Sequence, residues 1–145
     1  MIPLYQDDFT AHNGNCFQAC IASIFEIPLN AVPHFCGNDN GNWASDSQKW
    51  LFEHYGLGIL AAMPFECGDG SWAKLLFDRG VLHLIVGKSP RGDFWHCCVG
   101  KSGARVHDPF PGGAGVMAEE RWEFFIMIDP ADRRPPEWRE GILSL

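Results

Sequence analysis

The sequence has no long apolar run and no recognisable targeting segment. None of its hydrophobic stretches approaches the ~20 residues that a helix needs to span a bilayer. Residues 1–8 contain neither the basic segment nor the apolar core of a signal peptide. These two absences predict a cytoplasmic protein without a membrane-spanning part.

Positive charge is also scarce. The chain has 11 Lys and Arg residues against 18 Asp and Glu residues, which gives a net charge of −7. Apart from Arg133 and Arg134, the basic residues are scattered along the chain. Proteins that bind nucleic acid or anionic lipid through bulk electrostatics need a positive surface. We therefore expect neither nucleic acid nor a membrane among the partners.

Internal repeats and linker-like segments are missing as well. The 145 residues are enough for one domain with one core. Hydrophobic residues make up 46% of the chain and aromatic residues 13%, which excludes a largely disordered protein. We expect a single domain over residues 1–145.

The first half of the chain has the patterns of helices. Apolar residues recur at intervals of three and four over Cys16–Phe25, which predicts a buried central helix. A second helix is predicted over Trp43–Tyr55, where Gly56 follows as a helix stop. Shorter helical pieces are predicted within residues 29–35 and 72–79.

The second half has the patterns of strands. Runs rich in β-branched and aromatic residues alternate with turn formers, and the predicted strands cover residues 57–63, 81–86, 94–99, 104–107 and 122–128. The last four runs follow one another closely, which suggests an antiparallel meander. Helices that precede strands in this way predict an α+β fold, with the helices packed on an antiparallel β-sheet.

One cysteine lies where a helix is predicted to begin. The turn-forming residues Asn13, Gly14 and Asn15 lead directly into the apolar run that opens at Cys16. The first turn of a helix has unpaired N–H groups and a partial positive charge, and both favour an anion. A thiol in that position ionises more easily, and the thiolate is the nucleophile. Cys16 is therefore the candidate nucleophile.

A base and an orienting acid are predicted on two neighbouring strands. His96 lies in a run too apolar for a casual polar residue, and Asp108 follows the next strand. A short turn between antiparallel strands would bring the two together. The carboxylate would then bind one imidazole nitrogen and leave the other for a thiol. His83 is the rival base, but no acid ends an adjoining strand in the right order.

The motifs around these residues resemble those of the papain-like cysteine peptidase superfamily. They are residues 14–20, 95–99 and 106–109, and they are most similar to the bacteriocin-leader peptidase branch and its stand-alone relatives. The resemblance implies a papain-like fold, in which the helix that carries Cys16 packs against the sheet that carries His96. It also makes a bacterial or phage origin plausible.

The same resemblance implies an activity. Cys16, His96 and Asp108 would form the catalytic triad of a thiol hydrolase that cleaves a peptide, isopeptide or related amide bond in a protein or peptide substrate. Peptidase, deamidase and acyltransferase remain open, as does the oligomeric state. The competing interpretation is a catalytically degenerate module that binds or inhibits a partner protein or holds a small ligand.

The oxyanion hole departs from the family pattern. Relatives place a Gln about six residues before the Cys, where this chain has Thr10. Gln6 would reach the site if residues 7–12 bulge outward, and Asn13 or Asn15 could serve instead. The backbone N–H of Cys16 would be the other donor.

Further residues are candidates for contact with the substrate. His12 lies close to Cys16 in sequence and could line the cleft, and the aromatic side chains of Trp43 and Trp95 could form its walls. The glycine-rich residues 112–115 lack the lysine of a phosphate-binding loop, so we expect a mobile loop beside the site.

The remaining cysteines do not have the spacing of a metal site. Structural zinc sites use close pairs such as Cys-x-x-Cys, and this chain has none, so we expect no metal and no cofactor. In a reducing compartment the six cysteines should be thiols. We expect Cys20, Cys97 and Cys98 in the core, and Cys36 and Cys67 at least half exposed.

Overall fold

The computed structural model describes residues 1–37, 41–62, 80–102, 104–117 and 121–128. Both predicted helices are present within the predicted bounds, as α1 (Cys16–Phe25) and α2 (Trp43–Tyr55). Two 3-10 turns, Leu29–Ala31 and Phe35–Gly37, lie between them, where one short helical piece was predicted. The other predicted piece, residues 72–79, falls outside the described residues.

Five strands form one antiparallel sheet in the described part of the chain. They are β1 (Leu57–Ala62), β2 (Leu82–Lys88), β3 (Trp95–Lys101), β4 (Ala104–His107) and β5 (Arg121–Ile128). Their spatial order is β1-β5-β2-β3-β4. All five overlap the predicted strands within a few residues, and the α+β prediction is confirmed.

The predicted meander is correct for three strands and wrong for the fourth. β2, β3 and β4 are neighbours joined by short turns. β5 does not pair with β4. It lies on the opposite side of β2 from β3, where it pairs with both β1 and β2. Local spacing identifies a strand without identifying its neighbours, because non-local pairing depends on which strand edges remain free in the assembled sheet.

The helix α1 is buried on nearly every side. Ala19, Cys20, Ile21 and Ala22 each have 0% of their surface exposed, and Phe25 has 1%. A helix that is apolar all round belongs in a protein interior. It packs mainly against β3 and places its first residue at the sheet surface.

The N-terminal arm runs between α1 and the end of β4. The backbone N–H of Leu4 donates to Ser23 Oγ on α1 (3.0 Å), and its carbonyl accepts from His107 Nε2 at the end of β4 (2.7 Å). Two residues later, the N–H of Gln6 donates to the carbonyl of Pro109 (3.0 Å). These bonds fix the path of the arm and bring Gln6 beside both elements.

No helix among the described residues combines the length and the apolar character needed to cross a bilayer.

Phe25→Ala is expected to lower the free energy of unfolding by about 3–5 kcal/mol, because it opens a cavity between α1 and α2. The ring of Phe25 is 1% exposed and lies 4.8 Å from that of Tyr55. Phe52→Ala is the matched control, since Phe52 is 54% exposed and should change stability by no more than about 0.5 kcal/mol. Urea unfolding followed by circular dichroism measures both. Equal effects would contradict the placement of α1 in the core.

Candidate active site

A cleft of about 660 Å³ opens beside the first turn of α1. Its walls come from residues 6 and 9–14 of the N-terminal arm, from the start of α1 and from the hairpin of β2 and β3. Cys36, Gly41 and Trp43, the last of which begins α2, complete it. Cys16 and His96 both line this cleft, so the predicted nucleophile and base share one cavity.

Cys16 is the first residue of α1 and is half-buried. The side chain of Asn15, just before it, is held by four hydrogen bonds. Its Nδ2 donates to Asp7 Oδ1 (2.7 Å) and Gln18 Oε1 (3.0 Å). Its Oδ1 accepts from the N–H groups of Asp7 (3.2 Å) and Asp8 (2.9 Å). Because both amide hydrogens are taken and Asn15 does not line the cleft, it anchors the helix start and is not available as the oxyanion donor suggested by the sequence.

His96 lies on β3 and is 2% exposed. Its Nε2 is 2.8 Å from Asp108 Oδ1, and the Cys16 side chain is near enough to the ring to raise its pKa. Because Nε2 is engaged by the carboxylate, Nδ1 is the nitrogen that remains for the sulfur. The fold therefore brings together the three side chains that the sequence predicted as a set.

The loop after β4 holds the Asp108 carboxylate from both sides. Oδ1 accepts from the N–H of Phe110 and Oδ2 from the N–H of Gly115, each at 2.8 Å. Arg105 Nη1 lies 3.5 Å from Oδ2. Gly115 has φ +76, a backbone conformation that L side chains rarely adopt, so glycine is favoured there. Residues 112–115 were expected only to form a mobile loop beside the site. The glycine at position 115 was the signal of this role.

Burial and hydrogen bonding act in opposite directions on the imidazole–carboxylate pair. Burial alone would raise the pKa of Asp108, but hydrogen bonds from His96, Phe110 and Gly115 outweigh it and lower that pKa to about 2. Burial alone would lower the pKa of His96, but the hydrogen bonds with Asp108 and Cys16 outweigh it and raise that pKa above its ordinary value. The site thus favours a protonated imidazole beside an ionised carboxylate.

Gln6 reaches the cleft although it lies ten residues before Cys16. Residues 7–13 loop outward, and Gly14 closes the loop, since a Cβ there would meet the carbonyl of Thr10 at 2.7 Å. Gln6 is 6% exposed, and its Nε2 donates to the carbonyl of Asp8 (2.8 Å). Its buried Oε1 has no hydrogen bond to any described residue. Thr10, where the resemblance predicts the glutamine, also lines the cleft but lies in the exposed loop.

The three side chains predicted to contact substrate all line the cleft. His12 is exposed at the loop tip. Trp43 is half-buried, with its ring 5.2 Å from that of Phe17. Trp95 is 51% exposed, and Lys88 Nζ lies 5.5 Å from its ring centroid. Together they give the cleft an aromatic wall beside Cys16.

Two other histidines, His83 and His107, are buried in the fold. His83 is fully buried and opposes Gly100 across the β2–β3 pair, while His96 opposes Gly87 at the other end of that pair. The rival base therefore lies away from the start of α1. His107 is 8% exposed and holds the N-terminal arm through Leu4.

The remaining cysteines follow the expectation wherever they are described. Cys20, Cys97 and Cys98 are at most 2% exposed, which confirms the prediction that they lie in the core. Cys36 is half-buried and lines the cleft, and burial raises its pKa to about 12. The prediction for Cys67 falls outside the described residues.

Only His96, Cys98 and Asp108 group as possible metal ligands in the described ranges, with ligand atoms within 4.8 Å of one another. A metal would need the thiolate of Cys98. Burial and the nearby Asp108 raise the pKa of that thiol, and both Asp108 oxygens already accept hydrogen bonds. This donor set is better suited to the hydrogen-bonded pair than to a metal ion.

A scan against protein-family models and searches of curated proteins and of solved structures returned no match. The chemistry of the cleft therefore has to be judged from its side chains.

Asp108→Asn should shift the titration of the His96 imidazole to lower pH, because burial then acts on the ring without the opposing carboxylate. NMR titration of the ring protons measures the shift. Asp93→Asn is the control, since that carboxylate is 93% exposed and is bound to Lys88. It should leave the His96 titration unchanged.

A stability measurement checks the sign of the same effect. The pKa of His96 is raised above 6.5 by folding, so its protonation stabilises the fold below about pH 6.5, and this contribution is lost as the pH rises through the folded value. The Asp108→Asn variant should lack this pH dependence. An unchanged pH profile together with an unchanged titration would contradict the role assigned to Asp108.

Proposed function

We propose that this chain is a papain-like thiol hydrolase that cleaves a peptide, isopeptide or related amide bond through an acyl-enzyme on Cys16. One observation carries the proposal: the buried imidazole of His96 is hydrogen-bonded to Asp108 and interacts with the Cys16 side chain at the wall of a cleft. A thiol, an imidazole and an orienting carboxylate are the parts that nucleophilic acyl transfer needs. The resemblance of the surrounding motifs to bacteriocin-leader peptidases supports the same chemistry.

In this mechanism His96 accepts the thiol proton of Cys16 at Nδ1. The resulting thiolate attacks the substrate carbonyl and forms a tetrahedral oxyanion. The C–N bond then breaks, His96 returns its proton to the leaving amine, and the acyl group remains on sulfur. Water, or another amine, attacks the thioester and regenerates the thiol. The choice between water and an amine separates hydrolysis from acyl transfer.

Asp108 acts by orienting the imidazole. Its bond to Nε2 keeps Nδ1 directed at the sulfur and stabilises the imidazolium that forms during the reaction. The loop amides of Phe110 and Gly115 keep the carboxylate ionised and in place. His96 therefore needs little rearrangement between the two proton transfers.

Two donors are available for the oxyanion. The backbone N–H of Cys16 is in the first turn of α1 and has no partner within the helix. Gln6 Nε2 has two hydrogens, of which Asp8 takes one and leaves the other. Both groups border the same cleft. We propose a protein or peptide of the cytoplasm as the substrate, in keeping with the aromatic wall of the cleft.

Iodoacetamide at neutral pH should label Cys16 at least about tenfold faster than Cys36, because only Cys16 has an imidazole partner. Mass spectrometry of peptides after short exposures gives both rates. Both thiols line the same cleft, so Cys36 is an internal control for access. His96→Gln should remove the advantage, whereas Cys36→Ser should leave the rate at Cys16 unchanged.

Equal labelling of the two thiols, or no effect of His96→Gln, would overturn the proposed catalysis. The degenerate binding module would then be the better account of this fold.

Gln6→Ala should slow the acylation of Cys16 by p-nitrophenyl acetate by about a hundredfold, because that reaction develops an oxyanion. Alkylation by iodoacetamide develops none, so its rate should change by less than about twofold. Gln48→Ala is the matched control, since its amide bonds to Ile59 between α2 and β1 and lies outside the cleft. Equal losses in both reactions of Gln6→Ala would indicate a structural role instead.

A further inference from the structure

The charge of the cleft is opposite to that of the chain. The protein has a net charge of −7. No Asp or Glu is among the described residues that line the cleft, and Arg91 is their one Lys or Arg. A cavity of this kind attracts anions even in an acidic protein, because nearby walls of low dielectric focus the local field.

Arg91 is held between aromatic rings in the turn that joins β2 and β3. Its guanidinium carbon lies 3.6 Å from the ring centroid of Phe110 and 5.6 Å from that of Phe94. Stacking of this kind orients a guanidinium and removes part of its water, while its edge remains available for a planar anion.

No acidic residue in the described ranges forms an ion pair with this guanidinium. The nearest acid along the turn, Asp93, is bound by Lys88 at 2.5 Å. Arg91 Nε is buried and has no hydrogen bond to any described residue. A partly dehydrated cation without a counter-charge is costly to maintain, so this arrangement suggests an anionic ligand.

The position of Arg91 connects it to the proposed triad. Phe110, on which the guanidinium stacks, donates its N–H to Asp108 Oδ1 (2.8 Å). Arg91 is also five residues before His96 on the same hairpin, and both line the cleft. A substrate carbonyl at Cys16 therefore has the guanidinium within the same cavity.

We propose that Arg91 is a specificity-determining residue that binds a carboxylate of the substrate, supplied by an acidic side chain or by a free C-terminus. Arginine matches a carboxylate with two parallel N–H···O bonds. This inference rests on the proposed function, because it assigns the substrate class of the same site. It predicts that the enzyme prefers substrates with a carboxylate near the scissile bond.

The test compares two alkylating probes of similar size and different charge. Iodoacetate carries a carboxylate and iodoacetamide does not, and the ratio of their rates at Cys16 measures the preference. Arg91→Gln should lower this ratio by about fivefold or more. Lys101→Gln removes the same charge from the far end of β3, away from the cleft, and should leave the ratio unchanged. In the unmodified protein, 1 M NaCl should lower the ratio because salt screens the guanidinium.

Short peptides then distinguish the two sources of the carboxylate. Acetyl-Ala-Ala-Ala has a free C-terminus, and acetyl-Ala-Glu-Ala-amide has an internal acid. The peptide that protects Cys16 from iodoacetamide better than acetyl-Ala-Ala-Ala-amide identifies the source of the carboxylate. Arg91→Gln should remove that protection. Acetyl-Ala-Gln-Ala-amide controls for the size of the internal side chain.

The outcomes separate this inference from the proposed catalysis. An unchanged probe ratio in Arg91→Gln, or an equal loss in Lys101→Gln, overturns the role of Arg91 even if Cys16 reacts rapidly. Slow labelling of Cys16 that does not depend on His96 overturns the catalysis, whatever the ratio.

Discussion

The hydrogen bond between His96 and Asp108 is the interaction on which the site depends. It joins β3 to the loop after β4, and its two ends are 2% and 6% exposed. Separating a buried charged pair would leave each partner uncompensated, so the bond holds the elements that carry it in one arrangement. The same bond decides which imidazole nitrogen faces Cys16. The same contact therefore holds β3 to the loop after β4 and orients the proposed catalytic base.

The second requirement is the path of the N-terminal arm. Asn15 uses all four hydrogen-bonding positions of its amide to fasten the outward loop to the first turn of α1. Gln6 is brought back by its own backbone bond to Pro109, which directly follows Asp108. The nucleophile, the proposed oxyanion donor and the orienting acid are thereby linked through short polar contacts.

The cleft combines apolar contact with one fixed cation. Trp43 and Trp95 offer large rigid surfaces, and Arg91 is the one Lys or Arg among the described residues that line the cleft. In a protein of net charge −7, a cleft lined by a guanidinium and no described carboxylate would select substrates by local field rather than by net attraction. The proposed substrate, with an acidic group next to the scissile bond, fits such a site.

Local sequence patterns were sufficient for both helices, for the existence of the strands and for the set of Cys16, His96 and Asp108. Helical periodicity, turn residues and strand alternation are properties of neighbouring residues, so the sequence alone determined them. Only the tertiary structure decided that β5 returns beside β2, that Gln6 reaches the cleft while the Asn15 amide is fully hydrogen-bonded, and that the N–H groups of Phe110 and Gly115 hold the Asp108 carboxylate. These depend on strand pairing and hydrogen bonding between distant segments, which no local pattern encodes.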